Sequence, residues 1–400
     1  MPGPGFPGGS AEAVKDLLFL AHRAPFPPDR GDKIRSFHIL SHLAARARVH
    51  LCAFADDPAD RVVPPALAAR LASCRIVPRT KSSPRAGLEA LASGRPLSLT
   101  AFADRRMTAA VADVVRAHPI AATYVFSGQM APYAPAGVPM TMDMVDVDSA
   151  KFAQLAEGAR GPMAWIYARE ARLLAAHERS VSARAAATLF VSAAEAALFR
   201  AGGGRGRIVA VENGIDAATY DPATCHPVAA GAETILFTGQ MDYRPNIEAV
   251  TWFADHVLPI VRQSRPAAVF VIVGRAPVAA VTRLGARDGV VVTGTVSDVR
   301  GWLAAARVCV APLRLARGIQ NKVLEAMAMA RPVVATQAAA EGIDHGGTIA
   351  VADSPEAFAA AVIAALDGPA DRPDARAQVL SRYDWRARLA PLDGLMGLEA

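Results

Sequence analysis

The chain has 400 residues, of which 52% are hydrophobic and 20% are charged. At roughly 100–200 residues per domain this length predicts two domains, and the apolar content excludes a largely disordered protein. A membrane-spanning helix needs about 20 apolar residues, and the longest apolar helical run, Ala357–Leu366, reaches half of that. The sequence therefore disfavours an integral membrane protein, and any membrane contact is expected to be peripheral.

The net charge is +6, and only five of the 43 basic residues are lysines, which leaves 38 arginines. Genomic composition explains such a surplus, and so does attraction to anionic lipid, nucleic acid or phosphorylated sugars. The four cysteines (52, 74, 225 and 309) have no CxxC spacing, which favours a reducing cytoplasm and argues against a zinc site. The start, MPGPGFPGGSAEA, lacks the pattern of a secretory signal, so residues 1–14 are expected to form a disordered tail.

Short apolar runs alternate with helical patterns through the first half of the chain. The first run, Asp16–Ala21, is continuous and precedes a Pro/Gly loop, as in a strand buried on both faces of a parallel sheet. Further strands are predicted at Val49–Phe54, Arg75–Val77, Thr123–Phe126, Pro139–Met142 and Thr188–Val191. Helices are predicted at Lys33–Arg46, Arg106–Ala117 and Pro162–Arg184. The pattern predicts an α/β domain over residues 15–201.

A glycine-rich segment, residues 202–206, interrupts this pattern before a second alternation begins. Its predicted strands are Ile208–Val211, Thr234–Thr238, Ala268–Val273, Val290–Thr293, Val308–Ala311 and Val333–Ala335. Its predicted helices are Ile247–Arg262, Asp298–Ala305 and Asn321–Ala330. We expect a second domain over residues 207–370 and a helical segment, residues 371–400, that packs back on the first. The predicted fold class is α/β, with two doubly wound parallel sheets.

The loop between the first strand and the first helix carries positive charge. Gly31 would let backbone amides approach an oxygen-rich ligand, while Arg30, Lys33 and Arg35 place cations at a helix start, where they oppose the helix dipole. A bound anion explains this arrangement, and a solvated Pro-rich turn is the alternative. The loop matches neither GxxxxGK[ST] nor GxGxxG, which disfavours nucleoside triphosphate hydrolysis and simple NAD binding.

In the second half, glycine turns follow predicted strands at NGID, GQMDYRPN and VTGTVSDVR, each of them weak evidence by itself. The strongest stretch is GIQNKVLEAMAMARPVVAT, where a scarce lysine, Lys322, and a lone acid, Glu325, lie on an otherwise apolar helix. The two residues are three apart and share a face. A structural ion pair accounts for them, and so does binding of a diphosphate and a ribose.

These motifs resemble the donor half of glycosyltransferase family 4, which has the GT-B fold of two facing Rossmann-like domains with a cleft between them. HRAPFPPDRGDKIRSFHILSHLA, DMVDVDSAKF and RYDWRARL are similar to a bacterial subgroup of sugar transferases encoded with PEP-CTERM/exosortase exopolysaccharide systems. The resemblance implies a retaining transferase that moves a sugar from a UDP- or GDP-linked donor to a glycan or polyprenyl-linked acceptor. It implies no further cofactor, and a location in the cytoplasm or on the inner face of the membrane.

The resemblance also implies residue roles. Glu325 matches the ribose-binding second acid of the family's E-x7-E motif, but Arg317 stands at the first acid position. Gln240 and Asn246 replace the usual phosphate-binding Arg and Lys, so that role is expected of Arg244 and Lys322. The expected donor-binding residues are Gly31, Lys33, Asn213, Gly239, Gln240, Arg244, Val296, Gly318, Lys322 and Glu325. The expected catalytic residues are Arg244, Lys322 and Asp146.

For the other acidic residues the sequence predicts either a secondary role or no catalytic role. Asp143, Asp146 and Asp148 follow a predicted strand, where Asp146 could orient an acceptor hydroxyl or where the group could serve only as helix caps. Glu170 and Glu178 are eight apart on a long helix and are expected on a solvated charged face without a catalytic role.

The helix Lys33–Arg48 carries Ile34, Phe37, Leu40 and Leu43 on one stripe, with Arg35, His38, His42 and Arg46 elsewhere. Core packing explains the stripe, and peripheral docking on anionic membrane is the alternative. Three other functions stay open: a nucleotide-sugar-binding protein without activity, a nucleotide-sugar 2-epimerase, and a nucleic-acid binder. Nucleic acid is not expected as a partner, because aromatic residues do not interleave with the basic ones.

Overall fold

A computed structural model describes residues 14–28, 31–316 and 319–398. The described chain divides into two compact units. The first unit consists of two segments, the chain up to Asn213 and the chain from Leu389 onward. The second unit spans Gly214–Arg388. No helix in the described ranges is both long enough and apolar enough to cross a membrane.

The first unit is built on a seven-stranded parallel sheet with the order β3-β2-β1-β4-β5-β6-β7. Its strands are β1 (Asp16–Ala21), β2 (Arg48–Ala55), β3 (Leu71–Pro78), β4 (Ile120–Phe126), β5 (Met140–Val145), β6 (Ala187–Phe190) and β7 (Ile208–Ala210). Every residue of β1 is buried, as its unbroken apolar run predicts for a strand that is covered on both faces.

Helices connect these strands. They are α1 (Gly31–Ala44), α2 (Pro65–Ala68), α3 (Ser83–Ser93), α4 (Leu97–Thr100), α5 (Arg105–Ala117), α6 (Asp148–Gly158), α7 (Pro162–Arg184) and α8 (Ala193–Ala201), with 3₁₀ turns at Pro58–Arg61 and Gly128–Tyr133. The helix α1 buries Leu40 and Leu43 of the predicted stripe, but Ile34 is exposed and Phe37 only half-buried. It buries Arg35 and His42 as well. Some of the basic residues of α1 are therefore buried inside the first unit.

The second unit repeats the plan in a six-stranded parallel sheet with the order β10-β9-β8-β11-β12-β13. Its strands are β8 (Thr234–Thr238), β9 (Val269–Val273), β10 (Val290–Gly294), β11 (Val308–Ala311), β12 (Val333–Ala335) and β13 (Ala350–Val351). Buried Phe237, Phe253, Phe270 and Phe358 lie in its core. Both sheets follow the Rossmann-like strand order, in which ligands bind beyond the carboxyl ends of the strands.

The helices of this unit are α9 (Arg244–Trp252), α10 (Leu258–Ser264), α11 (Ala279–Leu284), α12 (Arg300–Ala305), α13 (Asn321–Ala328), α14 (Gln337–Ala340), α15 (Pro355–Asp367) and α16 (Pro373–Arg382). A π-helical turn, Phe253–Val257, joins α9 to α10. The predicted fold class of two parallel α/β units is confirmed, and each predicted strand overlaps an observed one.

The division between the units differs from the expected one in two places. The strand Ile208–Val211, assigned by its position to the second domain, pairs with β6 as β7 and extends the first unit to Asn213. Of the expected C-terminal segment 371–400, only the part from Leu389 belongs to the first unit. The last two helices are α17 (Trp385–Leu389) and α18 (Pro391–Leu395), and in α18 Asp393 lies 2.8 Å from the His42 ring of α1.

Glu170 and Glu178 do not form the expected solvated face, and that prediction is wrong. Their exposed fractions are 3% and 4%. Glu170 accepts hydrogen bonds from the backbone N–H groups of Leu97 and Ser98 at the start of α4, at 2.7 and 2.8 Å. Glu178 accepts one from the N–H of Ser149 in α6, at 2.9 Å. Carboxylates suit these positions because helix starts present unpaired N–H groups and a positive dipole end.

Candidate functional site

A pocket with a volume of about 550 Å³ lies in the second unit. Three glycine turns form one wall, and each of them ends a strand: Gly239 follows β8, Gly274 follows β9, and Gly294 closes β10. The start of α13, which follows β11, forms another wall. Because β8 and β11 are the neighbours at which the strand order reverses, the pocket occupies the switch point of the sheet.

The three turns are hydrogen-bonded to one another along the sheet edge. The N–H of Gly239 donates to the carbonyl of Val273 at 3.0 Å, and the N–H of Gly274 donates to the carbonyl of Gly294 at 3.2 Å. A Cβ atom on Gly274 would lie 1.6 Å from the carbonyl oxygen of Gly239. Gly294 adopts φ +70°, a conformation that favours glycine. Side chains are excluded here, so a ligand can approach the backbone closely.

Lys322 extends from the first turn of α13 into the pocket. Its Nζ donates a hydrogen bond to Oδ1 of Asn246 at 2.6 Å and lies 4.1 Å from the centre of the Phe237 ring. Asn246 in turn donates to the backbone carbonyl of Gln240 at 2.9 Å. Burial lowers the pKa of the Lys322 ammonium to about 7, against an opposing effect of the Glu325 carboxylate. An anion bound in the pocket would further favour the charged form of Lys322.

Glu325 faces the same pocket one turn further along α13. Burial raises its pKa, while a hydrogen bond from Tyr220 and the charge of Lys322 both act to lower it. Burial and the Glu325 carboxylate raise the pKa of the Tyr220 hydroxyl, which therefore stays a donor. The structure thus brings together an amine and a carboxylate, as the sequence predicts, and adds the Tyr220 hydroxyl beside the carboxylate.

Among the described residues, Arg275 is the arginine that lines the pocket, at the turn after β9. Its guanidinium donates to Oε1 of Gln240 at 2.9 Å. Arg244 does not belong to the described lining: its side chain is 86% exposed and pairs with Glu248 at 2.7 Å, one turn along α9. The pair follows from the i, i+4 spacing on a helix. In the described lining an arginine side chain is therefore present at Arg275 and not at Arg244, where the sequence predicts one.

Of the other residues expected to bind the donor, some line the pocket and one lies outside the described residues. Val296 lines the pocket beside Gln240 and Gly239. Arg317 and Gly318 lie outside the described residues.

Four expected site residues lie in the first unit. Lys33 is only 3% exposed, and its Nζ pairs with Asp60 at 2.6 Å, which accounts for this cation without a bound anion. Gly31 is the first residue of α1 and has open space around it. Asp146 is exposed just after β5.

Asn213 is an exposed residue of the first unit, and its side-chain oxygen accepts a hydrogen bond from the buried Arg35 at 2.9 Å. Arg35 is only 1% exposed and also donates to Asp143 at 3.0 Å. Tyr124 donates to the same carboxylate at 2.7 Å. The cation of Arg35, which the sequence analysis placed with Lys33 near a ligand, is thus paired in the interior.

Sequence reasoning missed Tyr220, Gly274 and Arg275. A signal existed for the last two, because Gly-Arg directly follows the apolar run of β9 just as Gly-Gln follows that of β8. Tyr220 carries no such signal, since it lies in an irregular segment far along the chain from Glu325.

Residues 232–368 match the family model of the group 1 glycosyl transferases. This range contains the pocket except for Tyr220. No curated protein matches the chain.

Solved structures resemble the chain over nearly its whole length. HepE from Anabaena in complex with UDP has 19% identity and a TM-score of 0.56, covering 96% of this chain and 99% of that one. A glycosyltransferase from Rickettsia africae has 12% identity and a TM-score of 0.58, with 97% and 99% covered. A UDP-forming α,α-trehalose-phosphate synthase from Burkholderia xenovorans has 11% identity and a TM-score of 0.57, with 96% and 99% covered. At these identities the likeness concerns the fold.

Proposed function

We propose that this chain, a glycosyltransferase of group 1 with the GT-B fold, transfers a sugar from a uridine diphosphate donor to a glycan or lipid-linked acceptor with retention of configuration. The supporting observation is the pocket at the switch point of the second sheet, which is lined by Lys322 and Glu325 of α13 and by the turns that follow β8, β9 and β10. The choice of UDP over GDP is supported by HepE, which was solved with UDP and with UDP-glucose.

The proposed chemistry follows from the charge that develops on the leaving group. As the sugar–phosphate bond breaks, negative charge builds on the diphosphate, and positioned cations and N–H groups stabilise that transition state. Lys322 and Arg275 supply the cations in this proposal, and the turns at Gly239 and Gly274 let the diphosphate approach the backbone. Glu325 accepts hydrogen bonds from the ribose hydroxyls.

The roles of the remaining predicted residues are proposals of the same kind. The uracil ring is read by backbone groups near Val296, which lines the pocket. Asp146 orients the acceptor hydroxyl. Its side chain is exposed just after β5, so an acceptor can reach it. Gly31, Lys33 and Asn213 remain predicted contributors, although the ion pair of Lys33 and the hydrogen bond of Asn213 already engage their side chains.

The test is a panel of UDP-, GDP- and TDP-sugars, with released nucleotide measured in the presence and absence of a bacterial lipid-linked acceptor. We expect release from a UDP-sugar, at least about tenfold slower in Glu325→Ala, a loss of about 1.4 kcal/mol of transition-state stabilisation. The rate of nucleotide release should fall by a similar factor in Arg275→Ala. It should not change in Arg283→Ala, because Arg283 is exposed on α11 and lies outside the pocket. Nucleotide binding without release from any donor would support the binding-protein alternative.

Replacing Tyr220 with phenylalanine should raise KM for the donor about tenfold and change kcat less, because a hydrogen bond to a charged group contributes about 1.5–3 kcal/mol. Without that donor, the buried Glu325 carboxylate is less stable and binds ribose less well. Tyr243→Phe is the matched control, since Tyr243 lines the same pocket but its side chain is 58% exposed. Equal changes in KM for both variants would contradict the role of Tyr220.

We further propose that the acceptor belongs to cell-surface polysaccharide synthesis and is met on the cytoplasmic side of the membrane. The supporting features are the resemblance of HRAPFPPDRGDKIRSFHILSHLA to exopolysaccharide transferases and the arginine surplus, which favours anionic surfaces. Sedimentation with anionic liposomes at low salt tests the membrane contact, and a protein that stays in the supernatant would refute it.

A further inference from the structure

A larger pocket, with a volume of about 790 Å³, lies in the first unit and has no role in the donor chemistry above. Thr80 follows β3 and Gln129 follows β4, so the pocket opens at the carboxyl ends of the strands. This is the edge at which parallel sheets bind ligands. Its volume falls within the range of about 300–1,000 Å³ that small-molecule sites occupy.

The lining of this pocket is strongly cationic. Two acids, Glu89 and Asp104, face five basic side chains: Lys81, Arg85, Arg95, Arg105 and Arg106. Glu89 is shared by Lys81 and Arg85, at 2.6 and 3.1 Å, and Asp104 pairs with Arg106 at 2.7 Å. No hydrogen bond or ion pair joins the side chains of Arg95 and Arg105 to any described residue. The pocket therefore has an unbalanced positive charge.

The positions of two cations make the imbalance more costly. Arg105 and Arg106 are the first two residues of α5, whose first turn contains no acid. Positive charges at a helix start oppose its dipole. The N-cap, Asp104, is already engaged, because its carboxylate accepts from the N–H of Arg106 at 2.8 Å. A bound anion would offset both the dipole repulsion and the excess charge.

The pocket is held in shape by hydrogen bonds. The Tyr133 hydroxyl accepts from the N–H of Asp104 at 2.7 Å and donates to the carbonyl of Phe102. Arg106 donates to the carbonyl of Pro78 and to the Thr80 hydroxyl, both at 2.9 Å. These bonds connect the start of α5 to the end of β3 and to the turn after β4, so Arg106 and the helix start that carries Arg105 are held in place before a ligand arrives.

We propose that this pocket binds the phosphate or diphosphate group of the acceptor, with Arg95 and Arg105 as its principal contacts. Phosphate is the matching anion because arginine binds it in a bidentate way. The group is carried either by a lipid-linked diphosphate or by a soluble sugar phosphate. The assignment to the acceptor rests on the proposed function, whereas the binding of a phosphoryl anion does not.

Equilibrium dialysis with radiolabelled inorganic pyrophosphate at low ionic strength tests the binding. The measurement uses the Lys322→Ala/Arg275→Ala chain, in which the donor pocket has lost its cations. We expect saturable binding that weakens at least about tenfold when Arg95→Ala and Arg105→Gln are added. Arg116→Ala, which removes an exposed arginine from the other end of α5, should leave binding unchanged.

Circular dichroism and thermal melting establish that the variants are folded, which the exposed positions of Arg95 and Arg105 favour. Undiminished pyrophosphate binding in the folded Arg95→Ala/Arg105→Gln chain overturns the proposal, and so does an absence of saturable binding before these changes. Neither result depends on UDP-sugar turnover, so a failure of the proposed transferase activity is recognised separately.

Competition then distinguishes the two sources of the phosphoryl group. A sugar 1-phosphate should displace labelled pyrophosphate if the acceptor is soluble, and vesicles containing a polyprenyl diphosphate should displace it if the acceptor is lipid-linked. Vesicles of the same lipids without polyprenyl diphosphate serve as the control. Displacement by neither compound contradicts the assignment of this pocket to the acceptor.

Discussion

Lys322→Ala is expected to lower kcat/KM for a UDP-sugar by at least about tenfold, which corresponds to about 1.4 kcal/mol of transition-state stabilisation. Lys322 lies at the start of α13, where its ammonium and the helix N–H groups point into one pocket. Its partners, Asn246 and the Phe237 ring, carry no formal charge and leave the positive charge available to a diphosphate. Steady-state rates of UDP release measure the loss.

The depressed pKa adds a pH dependence with a definite sign. Because the pKa of Lys322 is about 7, the unliganded protein holds the ammonium form below that pH and loses it as pH rises through it. A diphosphate binds the ammonium more tightly than the neutral amine, so affinity for UDP should fall as pH rises above 7. UDP binding should also take up protons above pH 7, which calorimetry in buffers of different ionisation enthalpy measures.

Lys322→Arg is the matched control for this pH dependence. A guanidinium keeps its charge throughout the range, so this variant should retain part of the affinity and lose the pH dependence. A wild-type affinity for UDP that does not change across pH 7, or a near-normal rate in Lys322→Ala, would refute the assignment of the diphosphate to Lys322.

Gly274→Ala should destabilise the second unit by about 3 kcal/mol, at the upper end of the usual cost of overpacking. The added Cβ would lie 1.6 Å from the carbonyl oxygen of Gly239, a backbone atom that cannot rotate away. The turns after β8 and β9 would have to separate, which breaks the hydrogen bonds between them and reshapes the wall of the donor pocket. Denaturant unfolding measures the stability, and UDP titration measures the pocket.

Gly87→Ala is the matched control for this variant. Gly87 lies inside α3, with no atom within 4 Å of the position its Cβ would take. Alanine is preferred over glycine in a helix, so this variant should gain about 0.5–1 kcal/mol. If Gly274→Ala were as stable as the wild type and bound UDP equally well, the close approach of the two turns would not be a requirement of the fold.

Local pattern was sufficient for the strands and for the core of the donor site. A strand buried on both faces must be apolar at successive residues, which makes runs such as Asp16–Ala21 and Thr234–Thr238 visible in the sequence. Lys322 and Glu325 were visible for a related reason, because charged residues at helical spacing in an apolar segment share one face. The structure places both in one pocket.

Local sequence patterns did not predict the contacts between segments that are far apart in the chain. The partners of Glu170 lie more than 70 residues away, and periodicity alone cannot distinguish a carboxylate at a helix start from one in solvent. The arginine beside the pocket is a similar case: Arg244 and Arg275 both follow strands, but the i, i+4 neighbour Glu248 engages the first. Such outcomes depend on which groups the folded chain brings together.

The sequence by itself determined the alternation of strands and helices, the two α/β units and the lysine–glutamate pair of α13, because each depends on neighbours within a few turns or one strand. Only the tertiary structure decided that β7 joins the first sheet and that Tyr220 lies beside Glu325 in the donor pocket. It also decided that Arg95 and Arg105 line the cationic pocket of the first unit with no acidic partner of their own among the described residues. The physical reason is that strand pairing, burial and ion pairing join segments that are far apart in the chain. Local residue patterns do not show which of these remote segments lie close together in the folded protein.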